Sequence, residues 1–232
     1  MAHIHLEDGA FTILWVFVWT AAAAVVILVA LLRLGRGKLA TPRLAIASMC
    51  VAVGFAAFQI EIPVFGGVHL NLTPLMGILV GPSLGSLCVL TINIFSAAIG
   101  HGGWSMIGVN TLINTVEVVL GYAIYRFSRE YLRTRRFAAG FASASIALTV
   151  SAFVAVAIVA ISEIQGSSLT RAETLTNMWV LALGNIITGL FEGVVTGYIV
   201  SFLGRVRPDL LGEKAEVKVE RGEALPEVTS DG

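Results

Sequence analysis

The sequence opens Met1-Ala2-His3-Ile4-His5-Leu6-Glu7-Asp8-Gly9, setting a terminal amine, two imidazoles and two carboxylates just ahead of a long apolar run. A terminal amine, the amide nitrogens after it and a nearby imidazole can close fused chelate rings around one ion once the amides give up their protons. All-nitrogen square-planar sites of this kind favour Ni(II) or Cu(II). With Met1 in place, the amine, the amides of Ala2 and His3 and the His3 ring supply four such nitrogens. With Met1 removed, as the small Ala2 favours, the amine of Ala2 and the amide and ring of His3 supply three. The fourth donor then comes from elsewhere, and His69 is the candidate. The alternative is that His3 and His5 are simply solvated at a frayed terminus.

Composition restricts what such chemistry belongs to. Of 232 residues, 56% are hydrophobic and 13% charged, with a mean hydropathy of +0.87, against about 25% charged in a soluble domain. The chain is therefore an integral membrane protein, expected in a cell membrane. Its formal net charge is zero and no basic patch is interleaved with aromatics, so nothing points to nucleic acid. Cys50 and Cys88 sit in separate apolar runs without C-x-x-C spacing and read as small buried hydrophobes. A G-x-x-x-x-G-K-[ST] loop, H-E-x-x-H and G-x-S-x-G are absent, so no ATP site is expected in this chain. No histidine lies mid-span to ligate a buried haem, and no lysine to carry retinal. An enzyme reading has little to stand on. Inward movement of an ion against a gradient would draw its energy from another subunit.

The elements that must position the histidines are apolar runs at about 11–34, 42–60, 71–80, 83–100, 104–126, 137–162 and 175–204. The first is no signal peptide, because Glu7 and Asp8 precede it while Arg33, Arg36 and Lys38 follow, the reverse of a signal's charge order. The stretch 71–100 is either one long helix or two legs meeting at Gly81-Pro82, and charge arbitrates. Basic residues concentrate in cytoplasmic loops. Two legs put Arg33, Arg36, Lys38 and Arg43, then Arg126, Arg129, Arg133, Arg135 and Arg136, then Arg205, Arg207, Lys214, Lys218 and Arg221 on one side, leaving only Arg171 opposite. The expectation is an all-α bundle of seven passes, N-terminus outside and C-terminus cytoplasmic, with residues 1–10 as an outer metal-binding segment and 205–232 as a polar, disordered tail. Its cost is a first leg of about ten residues, half the roughly 20 that a lone spanning helix needs. Such short, Gly/Pro-interrupted segments are tolerated where protein shelters the backbone, and they mark binding sites.

In this topology His3, His5, His69 and His101, all the histidines of the chain, fall on the outer side. His69 lies just beyond Gly66-Gly67 in a loop that is either a close-approach site or an ordinary turn. His101, in Gly100-His101-Gly102-Gly103, is favoured as a group orienting a ligand or as plain turn structure, and Asn71, Asn110 and Asn114 are candidates for hydrogen bonds to a metal-bound imidazole. Glu117 and Glu192 lie well inside predicted spans, where carboxylates are costly. Glu192 falls among Gly189, Gly193 and Gly197, whose four-residue spacing allows close helix contact, and reads as structural at a helix seam. Ser48, Ala52 and Ala56 make a small-residue stripe that could dock a partner or pack an internal neighbour.

Together Ala2-His3-Ile4, Ile62-Pro63 through Gly66-Gly67-Val68-His69, His101-Gly102-Gly103 continuing to Gly108-Val109-Asn110-Thr111, and Glu192-Gly193 resemble the CbiM/NikM family. These are the substrate-capture subunits of energy-coupling-factor importers for cobalt and nickel. The resemblance covers about residues 2–203. It implies a six-helix core with one extra N-terminal span whose terminus folds back as a metal ligand. The implied ligands of Co(II) or Ni(II) are the N-terminal amine, the His3 amide and ring, and the His69 ring. The implied partners are a membrane coupling subunit, two cytoplasmic ATPase subunits and a small accessory membrane protein. The family pattern begins Met-His and then His-Ile-Pro-Asp/Glu-Gly; here Ala2 intervenes and the gap from His3 to Gly9 is longer, which leaves His5 open as a ligand. Competing readings are a membrane metalloenzyme or haem-binding electron-transfer subunit using the outer histidines, and a capture subunit for an organic vitamin.

Overall fold

The computed structural model describes residues 8–35, 41–59, 61–62, 68–162 and 171–212. Met1, Ala2, His3 and His5, and the expected tail from residue 213 onward, lie outside the described residues. Within them the chain forms α1 (Ile13–Leu34), α2 (Thr41–Gln59), α3 (Thr73–Val80), α4 (Pro82–Ala98), α5 (Ile107–Glu130), α6 (Arg136–Ser162) and α7 (Arg171–Val206). A two-residue antiparallel pair, β1 (Glu61–Ile62) and β2 (Val68–His69), sets Glu61 opposite His69. Helices α1, α2, α5, α6 and the Ala182–Val206 part of α7 are long and apolar enough to cross a membrane, whereas α3 and α4 are shorter.

The stretch 71–100 is two helices. Gly81, at φ 82° and ψ 169°, adopts a conformation that other residues resist, and Pro82 starts α4 where a helix has no use for an amide donor. The first leg is shorter than the apolar run suggests. Leu72 takes the left-handed conformation, φ 53°, and the Asn71 amide hydrogen-bonds a side chain instead of a helical carbonyl. At its far end the Arg43 guanidinium donates to the Val80 carbonyl at 3.3 Å.

Burial makes an eight-residue helix tolerable. Every residue of α3 except Leu79 is buried, and its backbone lies directly on α5. A Cβ on Gly77 would stand 2.1 Å from the Val118 carbonyl oxygen, and one on Gly121 would stand 2.6 Å from Pro74 Cα. Glycine at these two positions is thus a condition of the contact. The same device joins α6 to α7, where Gly193 meets Phe141 and Ser145 and Gly197 meets Phe137.

Helix α1 stands at the edge of the bundle with only Ala23 and Ala30 buried. It crosses α5 where Gly108 meets Thr20, and Trp19 Nε1 donates to Ser162 Oγ at 2.7 Å. Ahead of it, Phe11 is buried among Met106, Val109, Ile113 and Ile158. Asp8 reaches the turn before α5: one carboxylate oxygen accepts from the Ser105 amide at 2.8 Å and the Ser105 hydroxyl at 2.6 Å, the other from the Trp104 amide at 3.1 Å. These donors, the Ser105 hydroxyl foremost, hold the Asp8 carboxyl below its ordinary range. At the opposite end of the bundle Arg43 of α2, Arg126 of α5 and Arg207, just past α7, line one cavity of about 400 Å³.

Two outcomes follow from this packing. Gly77→Ala should lower stability by about 1–3 kcal/mol, the usual cost of overpacking, read as an earlier thermal melt in detergent. A carboxyl with a depressed folded pKa stabilises fully above its unfolded value of about 3.9 and loses that contribution as pH falls through the lower folded value. The Trp104 and Ser105 amides should therefore stay protected from hydrogen exchange at neutral and mildly acidic pH. They should lose protection in strong acid, and in Asp8→Ala at any pH.

Candidate functional site

Charged groups in a membrane interior need partners. Glu117, midway along α5, is 1% exposed, and Glu192, midway along α7, is 0% exposed. Both find their partners in one short segment, Asn71-Leu72-Thr73. The Asn71 amide donates to Glu192 Oε1 and the Leu72 amide to Glu192 Oε2 at 3.4 Å. The Asn71 side-chain Nδ2 and the Thr73 hydroxyl both donate to Glu117 Oε2. From α6 the Ser151 hydroxyl meets Glu117 Oε1 at 2.6 Å. Two helices thus grip the start of a third, and α6 steadies one of the two carboxyl groups that do so.

This grip decides depth. Glu117 lies ten residues into α5, roughly 15 Å along its axis at 1.5 Å per residue. The segment ending at Thr73 therefore meets α5 near its midpoint before α3 begins, and α3 continues from there toward the arginine-lined end. Beside the same half of α5 is a small cavity, about 20 Å³, lined by Asn110, Asn114, Glu117, Ser151, Asn185 and Thr188, which is room for about one water. The Asn185 and Asn71 side-chain carbonyl oxygens are buried without a hydrogen-bond partner among the described residues. Farther up, Asn114 donates to Asn93 at 3.3 Å, and Asn93 to Thr111 at 3.2 Å.

The structure brings Asn71, Asn110 and Asn114 to this polar chamber, Asn71 by its bond to Glu117 and the others as lining. His69 is placed by its backbone in β2, two residues before Asn71. His101 lies in the turn after α4, its amide bonded to the Ser96 carbonyl at 2.8 Å, two residues before the Gly103 that packs on Asp8. Among the described residues no three His, Cys, Asp or Glu side chains gather as a metal-binding group; a site using His3 or His5 draws on residues outside them. Ser48, Ala52 and Ala56 are exposed on α2, whose buried face is Ala47, Gly54, Ala57 and Phe58. Thr73, Ser151 and Asn185 were not singled out by the sequence, where each is one polar residue in an apolar run. That Glu117 and Glu192 share a partner is invisible in their spacing.

The family profile CbiM, cobalt uptake substrate-specific transmembrane region, matches residues 5–210. A protein of Haloquadratum walsbyi named for metal transport is 30% identical over 212 residues, covering 90% of this chain and 93% of its own. A protein of Archaeoglobus fulgidus named as a fused nickel transport protein NikMN is 30% identical over 165 residues, 69% of this chain and 53% of that longer one. The fold is that of a crystallised transition metal transporter, with a TM-score of 0.76 at 18% identity over 88% of this chain and 93% of that chain. An apolar chain with five helices among its described residues fit to cross a membrane, matched by that profile over almost its whole described length, belongs to the CbiM family: it is a multi-pass membrane protein of a cobalt/nickel transport family and not an enzyme.

Proposed function

We propose that the protein captures Co(II) or Ni(II) with high affinity at the outer face of the membrane and delivers it inward as the substrate-specific subunit of an ATP-driven importer of the energy-coupling-factor type. The observation that carries this reading is a pair of anchors, one just before α5 and one at its midpoint, that hold the segments following the histidines. Asp8 pins the segment that follows His3 to the turn after His101, and Glu117 and Glu192 pin the segment that follows His69 beside the first half of α5. His3, through its amide and ring, and His69, through its ring, are the proposed ligands, together with the N-terminal amine. His5 and His101 stand nearby in sequence or turn as further candidates. A planar nitrogen set of this kind suits Ni(II) and admits Co(II).

The end bearing Asp8 and His101 is outward and the arginine-lined end cytoplasmic, in keeping with the distribution of basic residues, so the N-terminus is outside and the bundle makes seven passes with α3 and α4 as two of them. The partners are a membrane coupling subunit, two cytoplasmic ATPase subunits that supply the energy, and a small accessory membrane protein. The exposed Ser48, Ala52 and Ala56 stripe gives the coupling subunit a face that admits close helix packing. Release comes from tilting the whole subunit within that assembly.

His3→Ala and His69→Ala, each shown to be inserted, should abolish uptake of radiolabelled cobalt and nickel by cells expressing the full importer. Normal uptake by both variants would overturn the assignment. Because protons compete for the nitrogen donors, affinity of the purified wild type should fall as pH is lowered.

A further inference from the structure

We propose that the cavity between Arg43, Arg126 and Arg207 seats the phosphate headgroup of an anionic phospholipid. The lipid seat is independent of which groups ligate the metal. Its three arginines are far apart in sequence yet stand at one end of their helices: Arg43 in the first turn of α2, Arg126 near the end of α5, and Arg207 immediately after α7. The ends of a spanning bundle lie where the hydrocarbon of a bilayer gives way to headgroups. Three guanidinium groups around one space of about 400 Å³ repel one another, and the carboxylates beside them do not restore balance. Arg126 pairs with Glu130, and Arg207 forks onto Asp209, Nε at 2.9 Å and Nη2 at 2.8 Å. Arg43 has the Val80 carbonyl and no carboxylate among the described residues.

A guanidinium carries five N–H donors, and these bonds use one or two in each, so all three groups keep donors for an incoming oxyanion. Arg43 and Arg126 also lie against glycines at positive φ. A Cβ on Gly81, φ 82°, would stand 3.3 Å from Arg43 Nη2, and one on Gly212, φ 68°, would stand 3.2 Å from Arg126 Nη1. The planar fork of arginine suits phosphate oxygens. The walls then choose the source of the phosphate. Ile46, Ile78, Leu79 and Leu210 line the same cavity, and free phosphate gains nothing from apolar walls. A headgroup phosphate that brings the first carbons of its acyl chains meets both halves of the lining, as in other basic pockets between membrane helices. A zwitterionic headgroup adds an ammonium that the arginines repel, which leaves the net-negative lipids as the occupants.

The test is native mass spectrometry and thermal melting of the purified full-length protein in detergent, with phosphatidylglycerol, phosphatidylcholine or inorganic phosphate added. The wild type should retain phosphatidylglycerol and melt higher with it than with phosphatidylcholine, and inorganic phosphate should change neither. Arg43→Gln and Arg126→Gln should each weaken retention about 5-fold, the worth of one cation beside an anionic lipid. Each variant is read against its own melt in phosphatidylcholine, so that lost stability is not counted as lost binding. Arg133→Gln, exposed between α5 and α6 and outside the cavity, should behave as the wild type. Equal effects of the two lipids, wild-type retention in either cavity variant, or an equal loss in Arg133→Gln would overturn the proposal. Stabilisation by inorganic phosphate alone would overturn it in favour of a free anion. No lipid preference, with both cavity variants failing to co-purify with the other importer subunits, would overturn it in favour of an acidic partner.

Discussion

A helix that begins in the middle of a membrane protein exposes its first backbone donors where no water can reach them, and each one left unsatisfied there costs several kcal/mol. Helix α3 begins in this way, and its solution is to start on two carboxylates. Glu192 takes the amides of Asn71 and Leu72, and Glu117 takes the Thr73 hydroxyl and the Asn71 side chain. The need is mutual, since a buried carboxylate without donors is equally costly, and the positive end of a helix favours an anion. Neither partner is tenable alone, so the start of α3 and the midpoints of α5 and α7 are fixed together. The glycines that let α3 lie on α5 and α7 lie on α6 bring the three helices close enough for this to happen.

The function drawn for this chain needs what that arrangement leaves. Starting the helix at Glu117 leaves beside the first half of α5 a small chamber lined with amide and hydroxyl groups, while the far end of α3 carries Arg43 on its last carbonyl.

Much of the framework was legible in the sequence because it leaves local traces. Gly81-Pro82 marks the break in 71–100 at the residue where the chain turns, and three of the arginines counted along the chain, Arg43, Arg126 and Arg207, line one cavity. The polar site left weaker traces. Glu192 read correctly as hydrogen-bonded at a glycine seam, yet its partner is 121 residues away, and a bond from a side chain to a distant amide has no periodicity to betray it. Asn71, Asn110 and Asn114 were expected to orient an imidazole; Asn71 and Asn114 give their Nδ2 to Glu117 and Asn93, and Asn110 and Asn114 line the small chamber. Asp8, which the sequence offered only as a carboxylate ahead of the first apolar run, ties the N-terminal segment to Trp104 and Ser105. Helical spacing defined the Ser48, Ala52 and Ala56 stripe but could not say which way it faced, because in lipid both sides of a helix are apolar.

The two anchors differ in a way that bears on how such a site opens. The grip on Asn71 to Thr73 is buried on every side, so loosening it would strand several donors and two carboxylates at once. Asp8 is exposed, and water can replace Ser105 and Trp104 as they leave it, which makes that tether the weaker. Phe11 is the apolar brake on the same segment, buried among residues of α5 and α6. Local opening follows the cheapest route, through exposed hydrogen bonds and few buried contacts. Of the two anchors, the one at Asp8 is therefore the less costly to break.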